Sequence, residues 1–190
     1  MISRVRLPLR FDSDALAADA AALPAAEWVA HFNTSYYEGE WSGVALRSSG
    51  GAPLALYPDP SAHADWQATA ALARCPALAA ALDVFECPLQ SVRLLALGPG
   101  ASIREHRDHR LGYDDGEVRI HVPITTSGDV AFFHAGERVD MAPGEAWYLD
   151  LNLPHRVANA GEQRRVHLVV DCVVNPWLDA LLEQAALQRS

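Results

Sequence analysis

The spacing of apolar residues changes near Leu89, and the change separates two kinds of predicted structure. Beyond this point apolar and polar residues alternate, which is typical of strands that bury one face. Turn-forming residues, such as those of Gly98-Pro99-Gly100, separate the alternating segments. The pattern predicts seven strands, at residues 91–97, 117–125, 129–134, 137–141, 145–150, 155–159 and 165–173. Many short strands with frequent turns indicate a sandwich or a barrel.

The first 86 residues have a mixed pattern that is more helical. It predicts helical segments at residues 14–22, 24–30 and 61–83, and strands at residues 5–7 and 41–47. Asp12 can cap the first helix, because its carboxylate can accept from the unpaired N–H groups of the first turn. Cys75-Pro76 breaks the third helical segment, because proline lacks the backbone donor.

The length of 190 residues suits one domain with a sizeable core. We therefore expect a single domain over residues 1–190, with a mixed helical part over residues 1–86 and a β core over residues 87–175. Residues 176–190 have leucines and alanines at helical spacing, so we expect a C-terminal helix that packs across the outside of the β core.

Composition and charge exclude several classes of protein. The net charge is −9 and lysine is absent, which argues against a nucleic-acid binder, because phosphates require a basic face. No apolar run is long enough to span a bilayer, and the start of the chain lacks the pattern of a secretory signal. We therefore expect a cytoplasmic protein.

Cys75, Cys87 and Cys172 are too widely spaced for a disulfide framework, and we predict buried free thiols.

Histidine is concentrated in one stretch, since six of the eight histidines lie between Gly98 and Asp171. In His106-x-Asp108 both side chains can point to the same side of an extended backbone and contact one ion. An isolated pair of this kind is more often a surface turn. His155 is the best third ligand, because Pro154 stiffens the backbone before it. Two imidazoles and one carboxylate are the ligand set of non-haem ferrous oxygenases.

Arginines accompany these candidate ligands. Arg165 lies ten residues beyond His155 at the start of an apolar strand, and a guanidinium fixed there suits a bidentate contact with a carboxylate. Alternation places Arg119 and His121 on one face of their strand, opposite an apolar face. Either this polar face lines the interior and binds an anion, or it is solvated with the arginine paired to Glu117 or Asp171.

Four blocks in this order resemble the aspartyl/asparaginyl beta-hydroxylase family of 2-oxoglutarate and iron dependent dioxygenases. They are "GPGASIREHRD", "VRIHVPI", "APGEAWYLDLNLPH" and "RRVHLVVD", and the similarity covers residues 91–171. The resemblance implies a mainly β fold with flanking helices, the double-stranded beta-helix or cupin-like jelly roll. It also implies Fe(II) and 2-oxoglutarate as cofactors, and dioxygen together with a small-molecule substrate as partners. Neither nucleic acid nor a membrane is implied.

The same resemblance assigns roles to residues. His106, Asp108 and His155 become the iron ligands, and Arg165 becomes the anchor for the distal carboxylate of 2-oxoglutarate. Arg119-x-His121 is similar to a second carboxylate-binding feature of the family. The position of Asp108 is a glycine in the vertebrate branch, so this chain is closer to the bacterial branch that hydroxylates free proline.

The implied activity is hydroxylation of a free amino acid, or of an aspartyl or asparaginyl residue in a peptide. Two other classes remain open at this point. A cupin enzyme without a cosubstrate would keep the metal ligands but would not need Arg165. A jelly-roll binding protein with a vestigial metal site would catalyse nothing.

Overall fold

Two antiparallel sheets dominate the structure, which is a computed structural model that describes residues 2–56 and 65–188. In chain order the strands within these ranges are β1 (Arg4–Arg10), β2 (Val29–Ala30), β3 (Tyr37–Glu38), β4 (Trp41–Ser49), β5 (Trp66–Ala68), β6 (Leu89–Leu97), β7 (Ser102–His106), β8 (Glu117–Thr125), β9 (Val130–His134), β10 (Glu137–Arg138), β11 (Glu145–Leu149), β12 (His155–Asn159) and β13 (Arg165–Val173).

The strand order places the site-bearing strands next to each other. The larger sheet has the order β1-β11-β8-β13-β6-β4-β2, with β5 also paired to β4, and the smaller sheet has the order β10-β9-β12-β7-β3. All of these pairings are antiparallel. Strands β8 and β13, which carry the predicted arginines, are neighbours in the larger sheet, while β7 and β12, which carry the predicted histidine ligands, are neighbours in the smaller one.

Three helices flank the sheets within the described ranges, namely α1 (Ser13–Ala22), α2 (Pro76–Leu82) and α3 (Pro176–Leu187). The predicted cap of α1 is confirmed, since the Asp12 side chain accepts hydrogen bonds from the backbone N–H groups of Asp14 and Ala15 at 3.1 Å. Single 3-10 turns occur at Ala25–Glu27, Thr34–Tyr36, Leu72–Arg74 and Tyr113–Asp115. None of the helices in the described part of the chain is long and apolar enough to cross a membrane.

The predicted strands with strong alternation are confirmed, and β8, β12 and β13 have the predicted bounds. The strand predicted at residues 137–141 is wrong beyond Arg138, where β10 ends. Strand β7 was not predicted, because its polar residues Arg104 and Glu105 interrupt any apolar alternation.

The helix predicted over residues 61–83 is wrong for most of the part that the structure describes. Residues 61–64 lie outside the described ranges, β5 occupies the next segment, and helix is confined to α2 after the 3-10 turn at Leu72–Arg74. The edge of β4 offers β5 backbone partners, and the Thr69 hydroxyl donates to the Ala45 carbonyl at 2.7 Å. These contacts outweigh the helical propensity of alanine, which is a weak preference. The turn predicted through Ala30 also ends early, because β2 pairs with β4.

The two faces of the larger sheet bury different cores. One face packs beneath the helices, where Ile120 and Leu168 meet Leu16, Leu78 and Leu178. The opposite face packs against the smaller sheet through a second cluster, listed here by its buried members: Trp41, Leu97, Ala101, Ile103, Phe132, Val139, Trp147, Leu149, Leu151 and Val157. Polar residues that alternate with the first set therefore point between the sheets.

The three cysteines are free, as the sequence predicts. Cys75 and Cys172 are buried, but Cys87 is only half-buried, so the prediction of burial is wrong for this residue. Its position just before β6, at an end of the larger sheet, leaves it partly open to solvent.

Candidate active site

His106, Asp108 and His155 lie together at one end of the smaller sheet. His106 is the last residue of β7 and His155 the first of β12, and the two face each other in the antiparallel register. Their ring centroids are 4.2 Å apart. Asp108 follows on the loop, where its backbone N–H donates to the Leu151 carbonyl at 2.9 Å. One potential ligand atom from each of the three residues lies within 4.8 Å of the others, so the structure brings together the three residues predicted as ligands.

Backbone carbonyls orient both imidazoles. The Nδ1 of His106 lies 2.8 Å from the Arg104 carbonyl, and the Nδ1 of His155 lies 3.1 Å from the Leu153 carbonyl. Because a carbonyl only accepts, each Nδ1 must carry the proton and donate it. Both Nε2 atoms then keep their lone pairs, which is the tautomer that metal binding through Nε2 requires.

The ionisation states of His155 and Asp108 also suit a divalent cation. Burial, and then the neighbouring His106, lowers the pKa of His155 to about 4, so this imidazole is neutral at pH 7. Burial opposes ionisation of Asp108, but Arg119 and the adjacent histidines outweigh it and lower the pKa of this carboxyl group. Imidazoles with free lone pairs and one carboxylate, grouped on one side, can hold an ion while leaving other coordination positions open.

A network of ion pairs holds the side chain of Asp108 in place. Arg119 donates from Nη1 to Asp108 at 2.6 Å, and from Nε and Nη2 to Asp171 at 2.6 and 3.0 Å. Asp171 also accepts from Nη2 of Arg93 at 3.0 Å. Register explains the contact, because Asp171 and Arg119 are directly paired across β13 and β8. The structure combines parts of the two alternatives left open by the sequence, because Arg119 pairs with Asp171 but lines the interior cavity and is not solvated. A role for Arg119 towards a cofactor stays a prediction.

Arg165 is the first residue of β13 and is only 4% exposed. Burial lowers the pKa of its guanidinium to about 9, so it remains charged at pH 7. Its Nη2 donates to Nδ1 of His167 at 2.8 Å, and its guanidinium carbon lies 6.0 Å from the centroid of the Phe132 ring. None of the ion pairs found among the described residues includes Arg165.

His121 lies close to Arg165 and is buried. Burial, and then the charge of Arg165, holds the pKa of His121 well below its usual value, so the ring is neutral. Neither of its ring nitrogens has a hydrogen-bond partner within the described part of the chain. A buried polar group in this state is costly, and it indicates a place for a polar ligand.

One cavity of about 290 Å³ joins all six candidate residues. His106, Asp108, Arg119, His121, His155 and Arg165 line it together with apolar side chains, including Leu95, Ile103 and Val157. Its charged lining is unbalanced, because four arginines and one aspartate contribute to it. Such a surface favours an anionic ligand.

A second cavity of about 440 Å³ also has Arg165 in its lining. Arg165 and Phe132 line both cavities, whereas His167 lines only the second and the clustered His106, Asp108 and His155 line only the first. Arg165 therefore forms part of the wall between the two.

The sequence did not single out Arg93 or His31, although both line the cavity of the clustered ligands. Arg93 is fully buried, and its position inside the apolar run from Val92 to Leu97 is a signal that could have revealed it. His31 stacks on Trp41 with ring centroids 3.6 Å apart. Burial, followed by Arg93, lowers the pKa of His31 to about 4. Nothing in the local sequence around His31 could have indicated this place, which depends on the path of the N-terminal segment.

Comparison with known proteins gives one match of nearly the whole chain to a family. The family model described as aspartyl/asparaginyl beta-hydroxylase matches residues 10–175. The L-proline cis-4-hydroxylase of Rhizobium meliloti (strain 1021) is 29% identical over 182 residues, which cover 92% of this chain and 62% of the relative. This chain therefore spans less than two thirds of the length of that relative.

Solved structures share the fold at lower sequence identity. An oxidoreductase of the 2OG-Fe(II) oxygenase family from Burkholderia pseudomallei superposes with a TM-score of 0.57 at 16% identity, over 91% of this chain and 86% of the other. A prolyl-4-hydroxylase from Pseudomonas putida superposes with a TM-score of 0.54 at 17% identity, over 91% and 93% of the two chains. The predicted jelly roll with flanking helices is confirmed.

We predict that Asp171→Asn lowers the free energy of unfolding by about 3–5 kcal/mol at pH 7, because the change removes the shared anion of two largely buried arginines. The arginines lower the pKa of Asp171 against the effect of burial, from an ordinary value of 3.8. The stabilisation is therefore present above about pH 4 and is lost as the pH falls through the folded pKa. Urea unfolding of the two proteins at several pH values measures the difference in their free energies of unfolding.

Asp140→Asn is the matched control, since the Asp140 side chain is 82% exposed in its ion pair with Arg138. This change should cost less than about 1 kcal/mol. Equal losses in the two variants would contradict a special role for the buried network.

Proposed function

Because the chain belongs to the aspartyl/asparaginyl beta-hydroxylase family, we propose that it is a 2-oxoglutarate- and Fe(II)-dependent dioxygenase that hydroxylates a free amino acid. One observation carries the proposal: a buried guanidinium without a carboxylate partner among the described residues lines the same cavity as the His106, Asp108 and His155 cluster. A cupin enzyme without a cosubstrate, or a binding protein, has no need for this combination.

The role proposed for each residue follows from the atom with which it can bind iron or 2-oxoglutarate. His106 and His155 would bind iron through Nε2, and Asp108 would bind it through a carboxylate oxygen. Arg165 would bind the distal carboxylate of 2-oxoglutarate, which supplies the anion that the buried guanidinium lacks. His121 has two ring nitrogens without partners in the described ranges and can bind a polar group of the cosubstrate. The chemical type and the charge of these side chains therefore suit both Fe(II) and 2-oxoglutarate.

Bound iron would supply the oxidative decarboxylation of 2-oxoglutarate to succinate and carbon dioxide, coupled to insertion of one oxygen atom of dioxygen into a C–H bond of the substrate. The residues of this chain bind and orient the reactants. Arg119 holds Asp108 ionised and fixed through its hydrogen bond of 2.6 Å. The apolar walls contributed by Leu95, Ile103 and Val157 restrict the access of water.

The size and charge of the cavity support a small substrate that carries a carboxylate. The volume of about 290 Å³ lies just below the range of roughly 300–1,000 Å³ typical of ligand pockets, and cosubstrate and substrate must share it. The four arginines in the lining favour anions. The relative from Rhizobium meliloti is named for its action on L-proline. A small free amino acid is therefore our first choice, and an aspartyl or asparaginyl residue of a peptide is the second.

We also propose that the partners are a small-molecule substrate and dioxygen, and that the protein acts in the cytoplasm. The three free cysteines support a reducing compartment. The net charge of −9 disfavours nucleic acid as a partner.

Turnover with a panel of substrates tests the proposed function. The iron-loaded protein with 2-oxoglutarate and dioxygen should release succinate in step with hydroxylated product for a free amino acid such as L-proline, and not for peptides containing aspartate or asparagine. Succinate and product are measured by mass spectrometry. Product from peptides alone would reverse the order of substrates, and the absence of succinate with every candidate would favour the classes without a cosubstrate.

We expect His155→Ala to weaken iron binding by about a hundredfold or more. Loss of a partner that merely supports a ligand already costs about 10–100-fold, and this change removes a ligand itself. Equilibrium dialysis against Fe(II) without dioxygen measures the affinity. His109→Ala is the matched control, because His109 is exposed and lines the cavity but lies outside the cluster. Unchanged iron binding in the His155 variant would remove His155 from the proposed ligands.

Arg165→Ala should raise the dissociation constant for 2-oxoglutarate by about a hundredfold or more, because two charge-assisted hydrogen bonds are lost. Arg165→Lys should recover only part of this loss, because an ammonium group lacks the planar fork. The iron-loaded protein is titrated with 2-oxoglutarate without dioxygen, and the absorption of the complex with 2-oxoglutarate is monitored. This titration gives the dissociation constant. Iron affinity should remain unchanged.

Arg164→Ala controls for removal of a neighbouring cation, since Arg164 pairs with Glu40 and Ser42 near the surface. It should bind 2-oxoglutarate normally. If the Arg165 variants also bind it normally, the distal carboxylate is held by another residue.

A further inference from the structure

Three of the four arginines that line the cavity are largely buried, and they have different partners. Arg93 and Arg119 share the carboxylate of Asp171, so each donates to an anion. Arg165 is as well buried, but its hydrogen bond is made to the imidazole of His167, at 2.8 Å. The difference matters because a carboxylate both orients and neutralises a guanidinium, whereas a neutral imidazole only orients it.

The contact with Arg165 fixes the state of the His167 ring. Arginine has no acceptor, so Nδ1 of His167 must accept the hydrogen bond and the ring proton must lie on Nε2. His167 is 2% exposed, and burial together with the charge of Arg165 holds its pKa well below the usual value. The ring is therefore neutral when it holds Arg165.

His167 contacts the guanidinium without lining the cavity of the metal-ligand cluster. The two residues are separated by one position on β13, so their side chains leave the same face of the strand. His167 lines the second cavity and is absent from the lining of the first, whereas Arg165 lines both. The side of Arg165 towards His106, Asp108 and His155 thus stays open to a ligand.

We propose that His167 is the positioning residue of the anion site, a neutral acceptor outside the cavity of the metal-ligand cluster that fixes the Arg165 guanidinium while leaving its charge for the distal carboxylate of 2-oxoglutarate. The inference rests on the proposed function, because it concerns the cosubstrate of that site. It explains why a histidine occupies a buried position next to a cation, where burial of its ring nitrogens is costly without a bonded partner.

Three substitutions at His167 distinguish its effect on the orientation of the Arg165 guanidinium from its effect on the charge available to the ligand. His167→Asn keeps a neutral acceptor near the place of Nδ1, so the dissociation constant for 2-oxoglutarate should stay within about threefold of that of the unaltered protein. His167→Leu removes the acceptor and should raise the constant about tenfold, equivalent to about 1.4 kcal/mol. His167→Asp introduces an anion that pairs with Arg165 and competes with the ligand, and it should raise the constant about a hundredfold or more.

The constants are measured by titrating the iron-loaded protein without dioxygen, so turnover is not the readout. 2-Oxopentanoate is a second probe, because it keeps the keto-acid end of 2-oxoglutarate but lacks the distal carboxylate. Its dissociation constant should be the same, within about threefold, in all four proteins. A purely structural effect of the substitutions would instead weaken both ligands and iron together.

Val170→Ala is the matched control for loss of stability in the same strand. Val170 is buried on the opposite face of β13, in the core beneath the helices. This variant should have a lower melting temperature with unchanged affinity for 2-oxoglutarate. If affinity instead followed melting temperature across all the variants, His167 would have only a structural role and the inference would be overturned.

The failure of this inference can be distinguished from failure of the proposed function. If the unaltered iron-loaded protein does not bind 2-oxoglutarate, the proposed function is wrong and the inference falls with it. If the unaltered protein binds it and Arg165→Ala does not, but the Leu and Asp variants of His167 bind it normally, only the inference is overturned. The inference would also be overturned if His167→Asn weakened the binding of 2-oxoglutarate as much as His167→Leu does.

Discussion

A guanidinium placed between two packed sheets loses most of its hydration, and it destabilises the fold unless anions or other acceptors replace the lost water. Arg93, Arg119 and Arg165 are all placed in this way, with side chains that line one cavity. The nearby acidic groups are fewer than these cations, since Asp171 serves two of them and Asp108 pairs with Arg119. Arg165 has no carboxylate partner among the described residues and donates to the imidazole of His167 instead.

The same ion pairs connect the two sheets. Asp171 and Arg119 belong to the central strands of the larger sheet, and Arg119 reaches across to Asp108 on the loop after β7. The side chain that would complete a metal site is therefore held by the opposite wall of the cavity. Rigid support of this kind is what a site of three donors needs, because small displacements of one donor change the geometry of all.

Strands from the N-terminal part of the chain complete this enclosure. Strand β1 pairs with β11 and β4 with β6, so the larger sheet is extended at both edges by segments distant in sequence from the candidate ligands. The segment between β2 and β4 brings His31 and Tyr36 to the rim of the cavity, where Tyr36 stacks on His106 with centroids 5.6 Å apart. These residues close the side of the cavity that the two sheets leave open.

The sequence by itself determined the central strands and the nature of the donors. Successive residues of β8 and β13 alternate between the core beneath the helices and the interior between the sheets, and those of β12 alternate between this interior and the outer surface. The period and the bounds of these strands can therefore be read from the sequence. The spacing of His106, Asp108 and His155, with Arg165 ten residues later, indicated the type of chemistry. Only the tertiary structure decided the short strands β2, β3 and β5, because segments of two or three residues have no period and depend on a neighbour for their hydrogen bonds. It alone also decided which side chain each arginine contacts. That choice depends on strand register and on which side chains face each other across the interior, and both are set by long-range packing.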